Sequence, residues 1–174
     1  ITSYTYDEYG NMASVTDTAG NTTSYTYNEY GQVTSVTDSQ ANVTSYEYDS
    51  NGNQTAIIDS TGAKTQYQYD AKGNIIQITY QNGQKTQMAY DQYNNLTAVT
   101  DPAGSTTRFT FDNAGNITAQ MDSSGNTTEY AYDSLNRLIK LIDPNGSITQ
   151  YTYDSKGNRT SITDSNLNII QYIY

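Results

Sequence analysis

An aromatic residue recurs every 21 residues from Tyr6 to Tyr174 without a single insertion or deletion, and this period constrains the fold more than any other feature of the chain. The column reads Tyr6, Tyr27, Tyr48, Tyr69, Tyr90, Phe111, Tyr132, Tyr153 and Tyr174. A second column two residues earlier reads Tyr4, Tyr25, Tyr46, Tyr67, Met88, Phe109, Tyr130, Tyr151 and Tyr172. Together they hold 15 of the 19 tyrosines, so tyrosine is here an element of the repeat. The 174 residues are eight repeats of 21 plus six, which replaces the one-domain prior for such a length with a single array over 1–174.

Each Tyr-x-Tyr is followed at once by Asp7, Asn28, Asp49, Asp70, Asp91, Asp112, Asp133 or Asp154, and three residues later by Gly10, Gly31, Gly52, Gly73, Asn94, Gly115, Asn136 or Gly157. A second set, with Asp17, Asp38, Asp59, Asp101, Asp122, Asp143 and Asp164, has Tyr80 as its one non-acidic member. It is followed at the same distance by Gly, as at Gly20, except at Ala41 and Leu167. All 14 aspartates fall in these two columns. Asp at the first turn position and Gly at the fourth predict type I turns: the carboxylate accepts from the amides ahead of it, and Gly supplies positive φ. Asn94 and Asn136 stand where the next most tolerant residue is expected.

Between turns lie short segments rich in Thr, Tyr, Val and Ile, which read as strands, two per repeat and about sixteen in all. No window sustains a helical stripe, so the fold class is all-β. Pairing Tyr6 with Asn11 across a four-residue turn sets Tyr4 against Ala13 and Thr2 against Val15. The column Val15, Val36, Ile57, Ile78, Val99, Gln120, Leu141 and Ile162 then shares the tyrosine face, with the column of Ala13, Thr34, Thr55 and Ile76 beside it. An odd repeat length would turn the tyrosine face over at every repeat unless one residue per repeat is absorbed in a bulge. The Gly-Asn pairs of both turns are candidate seats, and the second turn is the favoured one. A flat sheet of this kind would run about 75–80 Å at roughly 4.8 Å per strand. Sheets twist and apolar faces seek cover, so the ribbon is expected to coil around its tyrosine face or to pair with another copy.

Composition removes several functions. The chain has no Cys and no His, which excludes disulfides, thiolate nucleophiles, Cys-type metal sites and the Ser-His-Asp triad. A net charge of −10 with eight scattered cations argues against tracking nucleic-acid phosphates. No apolar run is long enough to span a membrane as a helix, and no signal peptide is in view.

The Tyr-Asp pairs at Tyr6-Asp7, Tyr48-Asp49, Tyr69-Asp70, Tyr90-Asp91, Tyr132-Asp133 and Tyr153-Asp154, with Gly10-Asn11, Gly31-Gln32, Gly73-Asn74 and Gly157-Asn158 behind them, resemble the RHS/YD repeat family over the whole chain. The resemblance implies a β-hairpin ribbon spiralling into a hollow shell. In bacterial toxin complexes and polymorphic toxins such a shell encloses a toxic domain, while wall-associated bacterial proteins and animal teneurins build large extracellular bodies from it. The divergent core segment with an autoproteolytic site, which the toxin members carry after the repeats, has no counterpart here. The chain starts and stops within a unit, so a fragment of a longer, uncapped array is expected.

The expected role is therefore structural: a segment of a secreted or cell-surface bacterial protein, forming a toxin shell or an extracellular fibre. Its expected partners are further repeats or copies of itself and an enclosed toxin domain. Catalysis is not expected, since no base is available to activate the abundant hydroxyls. No cofactor or metal is expected, because each Asp turn offers one carboxylate where a calcium site needs several. Asp7, Asp17, Asp49, Asp70 and Asp154, with Gly10, Gly20, Gly52, Gly73 and Gly157, are assigned to turns. The alternative is a wall-binding adhesion module that stacks glycans on exposed tyrosines. Tyr9, Tyr30 and Tyr93, which sit in turns outside the strand columns, are its candidate contacts.

Overall fold

The computed structural model describes residues 1–174. It contains seventeen β-strands in one open antiparallel sheet and no helix. Two compact units, Ile1–Thr86 and Gln87–Tyr174, repeat the same local plan. In the first, β1 (Ser3–Tyr6) pairs with β2 (Met12–Thr16), β2 with β3 (Thr22–Tyr27) and β3 with β4 (Val33–Thr37). Hairpin follows hairpin at the 21-residue spacing; in the second unit the last pairing joins Arg159–Thr163 to Ile169–Gln171.

Both turns of the repeat have one geometry. The Gly10 amide donates to the Asp7 carbonyl at 3.1 Å, and the Asp7 amide donates to the Asn11 carbonyl at 2.9 Å. The second turn repeats this with Gly20 to Asp17 at 3.1 Å and Asp17 to Asn21 at 3.0 Å. This is a three-residue loop, a type I turn closed by a residue of positive φ. Glycine fills that place at φ 84° in Gly10 and 88° in Gly20, while Ala41, Asn94, Asn136 and Leu167 are held there at 59–69°.

The strand register corrects two expectations. Because the loop has three residues, Asp7 faces Asn11 and Tyr6 faces Met12, with Tyr4 against Val15 beyond. The register shifts between Thr5 and Tyr6, and the same shift recurs beside Tyr27, Tyr48, Tyr69, Phe111, Tyr132 and Tyr153. The extra residue therefore lies in the strand after the Tyr-Asp turn, where Ala13 has no partner of its own, while the second-turn ladder runs without a shift. Both turns already carry the same positive-φ residue, so the turns leave parity untouched and a bulge inside the strand must restore it.

The face of the 13-column changes with it. The hydroxyl of Thr26 bonds to both Thr34 at 2.8 Å and Ser35 at 2.7 Å, and Thr152 bonds to both Thr160 and Ser161 at 2.7 Å. Both residues of the bulge point to the hydroxyl face. The tyrosine face instead receives Met12, Val33, Ile75, Ile117 and Leu138, one position earlier, together with the Val15 column as expected.

Ala56, between Glu47 and Gln66 in the ladder, is the one fully buried apolar side chain. The accessible surface is 11422 Å², against about 8,500 Å² for a compact globular chain of this mass. The sheet is one layer thick, and half-buried tyrosines do the work that a core does elsewhere.

Candidate functional site

The Tyr-Asp edge is where the repeat departs most from a plain meander. Pairing between hairpins stops before that edge: the ladder from β2 to β3 ends at Ser14 and Ser24. The carbonyl of Met12 is thereby left without a strand partner on the β3 side, and the phenol of Tyr27 donates to it at 2.8 Å. The relation recurs from Tyr48 to Val33 at 2.7 Å, from Tyr69 to Gln54 at 2.7 Å and from Tyr153 to Leu138 at 2.8 Å. Each tyrosine reaches back 15 residues and ties its hairpin to the one before. Burial raises the phenol pKa of Tyr48, Tyr69 and Tyr132 from the usual tyrosine value.

The structure places the repeat tyrosines on one face in two roles. Tyr4, Tyr25, Tyr46, Tyr67, Tyr130 and Tyr151 lie opposite Val15, Val36, Ile57, Ile78, Leu141 and Ile162. Tyr6, Tyr27, Tyr48, Tyr69, Tyr90, Tyr132 and Tyr153 lie one pair nearer the turn.

The turn carboxylates are consumed locally. One oxygen of Asp7 accepts from the amides of Tyr9 at 3.0 Å and Asn11 at 2.8 Å, and the other accepts from the Asn11 side chain at 3.0 Å. Asp17, Asp49, Asp70 and Asp154 make the same set with Asn21, Asn53, Asn74 and Asn158. The side-chain amide above all, helped by the backbone amides, holds these carboxyls below the ordinary Asp range. Such a carboxylate is a fixture of its turn, with three of its roughly four acceptor positions used locally.

Between successive Tyr-Asp turns lie notches. Tyr9 and Asn11 line one of 480 Å³ together with Asp7, Tyr27, Asn28 and Glu29. Tyr30 lines one of 280 Å³ against Asp49 and Asn51, and Tyr93 one of 520 Å³ against Asp112 and Asn113. The three turn tyrosines are 83%, 79% and 75% exposed.

Side chains four residues after the turn Asp bridge some of these gaps, a role the repeat pattern alone does not announce. Gln32 donates to the Gly52 carbonyl at 2.9 Å, and Asn116 donates to the Asn136 side chain at 2.9 Å. Arg137 pairs with Asp133 at 2.7 Å, donates to the Asp154 carbonyl at 3.1 Å and lies 4.8 Å from the centre of the Tyr153 ring. The signal for Arg137 was present in the sequence: it stands where the other Tyr-Asp turns carry Asn or Gln.

A family model described as Teneurin YD-shell matches residues 21–174. No curated protein sequence matches the chain at a significant level. Among solved structures, TcdB2-TccC3 is similar at TM-score 0.73 and 17% identity, over 92% of this chain and 11% of that one. TcdB2-TccC3-Cdc42 is similar at TM-score 0.69 and 20% identity, over 83% of this chain and 9% of that one. The Tc holotoxin pore of Photorhabdus luminescens is similar at TM-score 0.50 and 14% identity, over 98% of this chain and 14% of that one. The chain thus spans about a tenth of the length of the structures it matches. At these identities the likeness is one of fold, and with the family match it supports a structural scaffold of the shell type.

Proposed function

The chain belongs to the Teneurin YD-shell family, and from that premise we propose that it forms a stretch of wall in a hollow, secreted or cell-surface shell that encloses a toxin domain. The observation that carries this reading is the phenol-to-carbonyl tie made by Tyr27, Tyr48, Tyr69 and Tyr153. It fastens four of the hairpins to the one before without a second layer of protein, so a wall one sheet thick holds together and lengthens by adding repeats. The role is mechanical and non-catalytic: serine and threonine hydroxyls on the outer face bond to one another, as Thr5 does to Ser14 at 2.6 Å.

Protease protection tests enclosure. In the full-length protein carrying this chain, an enclosed domain stays intact under added protease at native pH and is cut once the shell is opened with denaturant. Equal cleavage before and after opening would contradict the reading.

A second reading, adhesion to a glycan surface, is favoured by the exposure of Tyr9, Tyr30 and Tyr93. Saturable binding to a glycan array, abolished by replacing these three rings with serine, is its expected outcome. Unchanged binding by the triple variant would overturn it.

A further inference from the structure

The notch between the first two Tyr-Asp turns and the place held by Arg137 are the same place six repeats apart. Asp7 corresponds to Asp133, Asn11 to Arg137, Tyr27 to Tyr153 and Asn28 to Asp154. The surrounding bonds correspond too: Tyr27 and Tyr153 both donate to the carbonyl 15 residues back at 2.8 Å. In the later repeat a guanidinium fills the space, paired with the Asp133 carboxylate, bonded to the Asp154 carbonyl and lying over the Tyr153 ring. That carbonyl also accepts from Gly157 at 3.1 Å, so it serves both donors. In the first repeat Asn11 is too short to cross, and a hollow of 480 Å³ remains, with Tyr9 and Glu29 added to its walls.

We propose that this notch receives the arginine side chain of a basic partner polypeptide, with Asp7 as counter-ion, the Tyr27 ring as the stacking surface and the Asn28 carbonyl as a further acceptor. Charge favours such a partner. Residues 1–63 hold five Asp, three Glu and no Lys or Arg, a side-chain balance of −8, while all eight cations of the chain lie beyond. A cationic segment is therefore drawn to this stretch before it docks. Arginine suits the notch better than lysine because its planar group stacks and donates in several directions at once, as Arg137 does. The neighbouring gap is narrowed to 280 Å³ by the chain itself, where Gln32 reaches the Gly52 carbonyl.

The test is titration of the 174-residue chain with fluorescent hexaarginine, with hexalysine and a neutral hexasaccharide as comparators. Hexaarginine is expected to bind more tightly than hexalysine. Asn11→Arg, which supplies the notch with its own guanidinium, is expected to weaken hexaarginine at least tenfold. Thr18→Arg, which adds the same charge at a second turn, is expected to change it less than twofold. Glu29→Gln removes an exposed wall carboxylate without touching the fold and is expected to weaken binding about threefold, so the proposal stays testable if Asn11→Arg does not fold. Wild-type affinity in both Asn11→Arg and Glu29→Gln would overturn the proposal. So would equal losses in Asn11→Arg and Thr18→Arg, or displacement of hexaarginine by the neutral sugar.

Discussion

The phenol of Tyr48 donates to the backbone carbonyl of Val33 at 2.7 Å, at an edge where the ladder between their strands has already ended at Ser35 and Ser45. Side chain replaces backbone there as the link between hairpins. Tyr48→Phe removes only that donor, leaves the carbonyl unsatisfied in a half-buried place and is expected to cost about 1 kcal/mol. Tyr48→Ala also empties the gap and is expected to cost about 2–3 kcal/mol. Tyr30→Ala, in an exposed turn, is expected to change stability by less than about 0.5 kcal/mol. Urea melts followed by circular dichroism measure all three, and equal midpoints for the two alanine variants would refute the roles given to these residues.

Ala41 and Leu167 occupy turn positions of φ 65° and 64°, where a side chain is strained. Replacing either with Gly is expected to stabilise the chain by up to about 1 kcal/mol, because relief of strain outweighs the added freedom of the unfolded chain. The reverse change, Gly52→Ala, at φ 84° with the Gln32 amide 3.3 Å from the new methyl carbon, is expected to destabilise. Thermal midpoints moving the other way would count against the turn geometry.

Deletion of Thr34 removes the extra residue of one bulge. The repeat is then even, so Thr26 still faces Ser35, Tyr25 still faces Val36, the strand alternates without a bulge and every tyrosine beyond keeps its face. The expected result is retained cooperative unfolding in the deletion variant, as in Thr34→Ala. Loss of cooperative melting on deletion would show that the bulge does more than keep the face.

The turn carboxylates predict the acid response. Asp7, Asp17, Asp49 and Asp70 have folded pKa values lowered chiefly by the side-chain amide four residues on. A group depressed on folding stabilises the fold fully above its unfolded pKa, about 3.9, and loses that contribution as pH falls through the folded value. The melting midpoint is therefore expected to stay level from pH 8 to pH 5 and to fall below about pH 4. A fall between pH 7 and pH 5 would point to a group this account does not contain.

The strands, the turns and the tyrosine face were legible in the sequence because each rests on a residue type with a local reason: Asp accepts turn amides, Gly tolerates positive φ, and Tyr alternates with Thr. The need for one bulge per repeat was legible as well, from parity alone. Its seat was not. Glycine marks a bulge only where φ is positive, and Ala13 and Thr34 are not among the positive-φ residues, so nothing in their identity sets them apart. The tie from Tyr27 to Met12 was hidden for a related reason: its acceptor is a backbone carbonyl, and every residue has one. Arg137 did leave a trace, as a cation in a column of amides, but its stacking on Tyr153 depends on a contact between repeats that spacing within one repeat does not report.

Electron cryo-microscopy of the full-length protein that carries this chain tests the scaffold reading most directly. The account predicts a hollow particle whose wall over these repeats is a single sheet, with its tyrosine face free of a second protein layer. A solid particle, or one in which the tyrosine columns pack against another folded layer, would contradict it.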